Sequence, residues 1–255
     1  MTVVGEDALE NLLKRDRMIV LAGLVGVSVL AWIYIIAFDG GVAAAMHASM
    51  PWTVSHFVLM FSMWSVMMVA MMLPTAAPMI LLYMLVVRKS AEKHTPIVAA
   101  GVFVAGYIVA WAAFSLSVTA LQWGFEQFAL LSPMMASANP LFGGGLLIAA
   151  GAYQWTPLKD HCLGNCRAPM AFLTTSWRHG RIGAFRMGLE QGLYCVGCCW
   201  VLMGLLFFGG VMNLLWIAAI TAFVLLEKFA PMGIQAGRFS GFLLIVSGLL
   251  VIGLA

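Results

Sequence analysis

The chain has 255 residues, 63% of them hydrophobic and only 9% charged. A soluble domain carries about 25% charged residues, so this composition excludes an ordinary water-soluble fold and reads as an integral membrane protein. The net charge of +3 comes from basic residues scattered over several loops; they form no stripe that would hold nucleic acid.

The chain begins with a polar segment, residues 1–17, which holds Glu6, Asp7, Glu10 and the cluster Lys14-Arg15-Asp16-Arg17. It is read as a cytoplasmic tail, and residues 18–255 as a single transmembrane helical domain. No small-residue cleavage site follows the first apolar run, so that run is expected to stay as an anchor and not to be removed as a signal. A spanning helix needs about 20 mostly apolar residues. The stretches that qualify are 18–38, 57–87, 96–121, 141–157, 183–210, 212–229 and 239–254. The second is too long for one straight crossing, and Pro74 and Pro78 within it remove backbone donors and predict a kink. The fourth is short and opens with Gly143-Gly144-Gly145, which predicts close approach to a neighbouring helix; if it is re-entrant, the count falls to six. The expected fold is therefore all-α, a polytopic transmembrane bundle of about seven spans.

With seven spans, all thirteen Lys and Arg residues fall in the tail, in the loops after spans two, four and six, or at their margins. The positive-inside rule then makes the N-terminus cytoplasmic and the C-terminus external.

The fifth stretch carries the chemistry. Its run GLEQGLYCVGCCWVLM (188–203) places Gln191, Cys195, Cys198, Cys199 and Leu202 on one helical face. Thiols and polar groups on a membrane helix suggest function. Cys162 and Cys166 lie upstream, in what reads as a polar loop with a turn-forming Gly-Asn between them. All five cysteines face the reducing side, where stable disulfides are rare, and an odd number argues against a simple disulfide framework. Soft-metal binding or transient thiol redox chemistry remains. Cysteines three or four residues apart put their sulfurs on one face, as a soft metal requires. His161, beside Cys162, is either a ligand or a solvated loop residue. Glu190 could orient a ligand, pair with Arg186 or carry protons.

Nineteen methionines are the other unusual feature, densest between Met46 and Met84. His56, Met60, Met63, Met67 and Met71 follow steps of four, three, four and four residues and form one stripe, with Met46, His47 and Met50 just before it. A single Met is most simply packing. A stripe headed by His suits Cu(I), which prefers thioethers and accepts imidazole.

The runs MWSVMMVAMMLPTAAPM (63–79), GAYQWTPLKDHCLGNCRAPM (151–170) and GLEQGLYCVGCCWVLM (188–203) resemble a bacterial family of predicted metal-binding integral membrane proteins, often labelled copper chaperones. The resemblance extends from about Ala22 onward. By position it carries over Met71, Met72, Leu73 and Pro74 from the first run. From the second come Tyr153, Gln154, Pro157, Leu158, Lys159, Cys162, Cys166 and Arg167, and from the third Cys195, Gly197, Cys198, Cys199 and Trp200. It implies metal handling in the bacterial cytoplasmic (inner) membrane. The expected metal ligands are Cys162, Cys166, Cys195, Cys198 and Cys199, with Met67, Met71 and His56 leading in from the outer side. The expected metal is copper as Cu(I), with zinc or iron as the alternatives, and the expected partners are the lipid bilayer and a metalloenzyme or metallochaperone. The contrasting reading is a membrane enzyme, either a thiol oxidoreductase or a copper-dependent oxidase; a third is a scaffold in which the sulfurs only pack.

Overall fold

The computed structural model describes residues 3–39, 52–89, 96–132 and 135–254. They form helices α1 (Val3–Asp39), α2 (Val54–Lys89), α3 (Pro96–Gln127), α4 (Pro140–Tyr153), α5 (Pro157–Arg167), α6 (Pro169–Ser176), α7 (Gly180–Gly204), α8 (Leu206–Gly209), α9 (Leu214–Phe229) and α10 (Gly233–Gly253). An isolated pairing of Leu131 with Ser137 is the one β-type contact among the described residues.

Five helical stretches are long and apolar enough to cross a membrane: Lys14–Ala37, Val54–Arg88, Pro96–Gln127, Gly180–Gly209 and Gly233–Gly253. The two other expected spans are helical but shorter, with 14 residues in α4 and 16 in α9. At about 1.5 Å per residue, α4 is roughly 21 Å long, less than the ~30 Å hydrocarbon layer. The helix α1 runs from Val3 through the polar N-terminal segment into the first apolar stretch. Met46, His47 and Met50 lie outside the described residues.

Three short helices begin on local signals. Pro140, Pro157 and Pro169 each stand in the first turn of α4, α5 and α6, where a missing N–H costs nothing and φ is already helical. Asn139 and Thr156 cap α4 and α5 by accepting from the backbone N–H of Leu141 and Lys159. The segment from Cys162 to Cys166, expected as a loop, is thus part of α5. Its cap, Asp160 in the first turn and Arg167 in the last favour a helix through their dipole complementarity, and this outweighs the turn preference of Gly164-Asn165. The α2 helix stays helical through Pro74 and Pro78.

Small residues set the packing that positions the site. The α3 and α7 helices pack closely, with Gly188 against the backbone of Phe103 and Gly192 against Tyr107 and Ala110. The α4 and α10 helices interlock reciprocally: Gly144 lies against the carbonyl of Gly248, and Gly248 against that of Gly144. A side chain at either position would force the helices apart. The glycine triplet at the start of the fourth stretch thus does mark a close approach, and its partner is α10.

The buried core is centred on α2, where Met60, Met68, Met71 and Met72 are fully enclosed with Trp64. Apolar side chains stay exposed along α1 (Leu30, Ile33, Ile36) and α10 (Phe239, Phe242, Leu249), the surface a bilayer would cover.

Candidate metal centre

The buried face of α7 gathers Gln191, Cys195, Cys198, Cys199 and Leu202, as the helical spacing requires. The thiols of Cys198 and Cys199 both donate to the carbonyl oxygen of Cys195, at 3.2 and 2.7 Å, so their sulfurs fold back along the helix. Cys198 Sγ lies 3.7 Å from Cys199 Sγ. Beyond it, Cys199 Sγ lies 3.9 Å from Met72 Sδ of α2. On the other side, α5 brings Cys166 Sγ to 4.0 Å from Cys198 Sγ. Four sulfurs therefore run in a line from α5 through α7 to α2. Cys162 packs over Gly197, where a Cβ would lie 2.6 Å from its sulfur.

Cys195 has a different, polar environment. Its sulfur is 3.0 Å from the Tyr107 hydroxyl and 3.0 Å from Lys228 Nζ. Tyr107 donates to the Met72 carbonyl at 3.0 Å, and Lys228 donates to Thr75 Oγ1 at 2.9 Å. Tyr107 is fully buried and Lys228 nearly so. A cavity of about 120 Å³ opens here, lined by Cys195, Cys166, Lys228, Tyr107, Gln191 and Arg167 among others. Gln191 Oε1 is buried at this site with no hydrogen-bond partner among the described residues.

Lys228 is held by the residues behind it. Its neighbour Glu227 accepts from Lys159 Nζ through both carboxylate oxygens at 2.8 Å, with both side chains buried. Lys159 also donates to Gln154 Oε1. Arg167 donates to the last carbonyls of α9, those of Glu227 and Ala230, satisfying groups that a helix end leaves open. These contacts lock α5 against the end of α9, so Cys166 and Lys228 arrive at the same cavity.

The α5 thiols are held protonated. Hydrogen bonds with Cys195 and Cys198, followed by burial, push the Cys166 thiol well above the ordinary thiol range. Burial, and then the charge of Cys198, raises Cys162.

The other expected ligands, Met67, Met71 and His56, all lie on α2. Met67 and Met71 are buried in α2, but the sulfur that reaches Cys199 belongs to Met72, one residue on and about 100° round the helix. His56 is buried near the start of α2, edge-on to Trp52 at 4.8 Å. Met60 of the same stripe lies with Met135 around the Gln122 amide, whose Nε2 is 3.7 and 2.9 Å from the two sulfurs. His161 is exposed and edge-on to Tyr194. Glu190 pairs with Arg178 at 3.4 Å, not with Arg186, because the chain turns back before α7 and brings Arg178 alongside.

Sequence reasoning left Thr75, Tyr107 and Lys228 out of the site. The available signal is Lys228 itself, an ionisable residue at the end of an apolar run, which in the distribution of basic residues serves only to orient the chain.

Among the described residues, no three side chains of His, Cys, Asp or Glu converge as a metal site. Successive sulfurs do stand in pairs at the spacing of two ligands on one ion. With metal–sulfur bonds of about 2.3 Å, two sulfurs of one trigonal or tetrahedral site stand roughly 3.8–4.0 Å apart. The observed separations are 3.7, 3.9 and 4.0 Å. The donors are thiols and a thioether, soft ligands of the kind that Cu(I) and zinc both take.

A family model described as PpoB2, copper chaperone, matches residues 61–251. No curated protein and no solved structure matches the chain.

Proposed function

The chain belongs to the PpoB2 copper chaperone family, and from this premise we propose that it holds Cu(I) inside a membrane helix bundle and passes it to a partner metalloenzyme or metallochaperone. The observation that carries this reading is the line of sulfurs Cys166, Cys198, Cys199 and Met72, each within 4.0 Å of the next. Cu(I) tolerates two or three soft ligands without a rigid geometry, so an ion on such a line moves by exchanging one sulfur at a time. Cys195 lies at the polar end, on the cavity, and Cys162 buttresses α5 on Gly197.

In this reading the protein sits in the bacterial cytoplasmic membrane with its N-terminus inside. The basic residues on and around α5, Lys159, Arg167 and Arg238, support an inner-side position for the thiols, with Arg238 paired to Asp160 at 3.0 Å. His56, Met67 and Met71 serve as the approach from the other side. Their soft donors are buried along α2, the helix that also supplies Met72.

The test is elemental analysis of the detergent-purified protein beside the triple variant Cys195→Ser, Cys198→Ser, Cys199→Ser. Stoichiometric copper in the wild type, lost in the variant, is the expected result. Full metal content in the variant would overturn the assignment. Zinc or iron in place of copper would keep the site and overturn the choice of metal.

A further inference from the structure

We infer that Lys228 sets the charge of the ion this site accepts, favouring a monovalent soft metal over a divalent one. The inference rests on the metal-binding reading above and deepens it.

Cations around the cavity are engaged unequally. Lys159 is matched by the Glu227 carboxylate, and Arg167 is held on the carbonyls of Glu227 and Ala230. Lys228 has no carboxylate within ion-pair distance among the described residues. Its ammonium donates to the neutral Thr75 hydroxyl and to Cys195 Sγ. Its positive charge is therefore directed at the sulfurs, from a position that is 8% exposed and screened little by solvent.

A buried charge acts on whatever ion the sulfurs hold. Cu(I) with two thiolates carries a net charge of −1, which is costly to bury alone; the lysine brings the total to zero. A divalent ion on the same two thiolates is already neutral, and the lysine leaves the site with an excess positive charge. For a given set of sulfurs, the lysine therefore repels a divalent ion by one unit of charge more than a monovalent one. At about 6–10 Å, with an effective dielectric constant near 20, one such unit corresponds to a discrimination of about tenfold to a hundredfold.

Gln191 offers a second, independent way to change the same charge. Its buried Oε1 lies at this cavity without a hydrogen-bond partner among the described residues, so Gln191→Glu adds an anion to the cavity that Lys228 also lines, with almost no change of shape.

The experiment is a competition between Ag(I), a redox-inert monovalent soft ion, and Cd(II). It is run on the detergent-purified full-length chain, with bound metal counted by mass spectrometry. The proteins compared are the wild type, Lys228→Gln, Lys228→Arg and Gln191→Glu. Lys228→Gln and Gln191→Glu are expected to lower the Ag(I)/Cd(II) preference by about tenfold to a hundredfold, while Lys228→Arg keeps it near the wild-type value. If both charge-changing variants stay within about threefold of wild type, or if Lys228→Arg shifts as far as Lys228→Gln, the inference is overturned. Should Lys228→Gln fail to fold, Gln191→Glu decides, since it leaves the lysine in place. A wild type that binds neither Ag(I) nor Cu(I) would instead remove the metal reading on which the inference rests.

Discussion

At the residue scale, the five cysteines have different surroundings and should behave differently. Cys195 faces a lysine and a tyrosine, Cys198 and Cys199 face other sulfurs, and Cys162 rests on a glycine. Cys162 and Cys166 are held above the ordinary thiol range, so near neutral pH both keep their protons, and a metal that binds them must displace these. The sign follows: binding releases protons, so apparent Cu(I) affinity rises as pH rises from about 6 to about 8. Competition with a chromophoric Cu(I) chelator measures it, and Cys166→Ser is expected to flatten the slope. Gly197→Ala tests the buttress, because the added methyl meets the Cys162 sulfur and displaces α5. The expected result is weaker metal retention with a modest loss of stability, about 1–3 kcal/mol, read from a thermal melt. The one-faced sulfur cluster of α7 was legible in the sequence, since helical spacing alone collects it. Lys228 was not, because which neighbour a terminal lysine meets depends on how α9 docks on α2 and α7.

At the element scale, α5 is the part that extends the cysteines of α7 into a sulfur cluster touching three helices. Its capping Thr156, its first-turn Pro157 and its charged ends were all in the sequence. The Gly-Asn pair hid them by suggesting a turn between the two cysteines. As a helix, the segment presents Cys162 and Cys166 four residues apart, on the side that meets α7. Its anchor is the buried pair of Lys159 with Glu227. Removing one partner of such a pair leaves an uncompensated buried charge and typically costs about 3–5 kcal/mol. Lys159→Met is therefore expected to lower the melting temperature clearly and to reduce bound copper. The double variant Lys159→Met with Glu227→Gln should recover much of the stability. A Lys159→Met protein that melts at the wild-type temperature would show that α5 is held by packing alone.

At the scale of the whole molecule, composition was enough to expect an all-α chain with helices apolar enough for a membrane, and among the described residues five stretches meet the length and apolarity of a span. The two short stretches could not be settled by counting. The α4 helix is stabilised by its glycine contact with α10, a tertiary feature that hydropathy does not register. The methionine stripe was visible as a pattern, but the sulfur that meets the thiols, that of Met72, lies outside it, and finding it needed the three-dimensional rotation of α2. A topology reporter fused to the N-terminus should be active only in the cytoplasm if the distribution of basic residues orients the chain as proposed; activity outside would invert the proposed route for copper.

The most direct test of the central claim is X-ray absorption at the copper edge on the purified, Cu(I)-loaded protein. A line of thiols and a thioether should give a shell of sulfur alone at about 2.3 Å, lost when Cys198 and Cys199 are replaced by serine. A shell dominated by nitrogen or oxygen, or one unchanged by those replacements, would contradict the assignment of copper to these sulfurs.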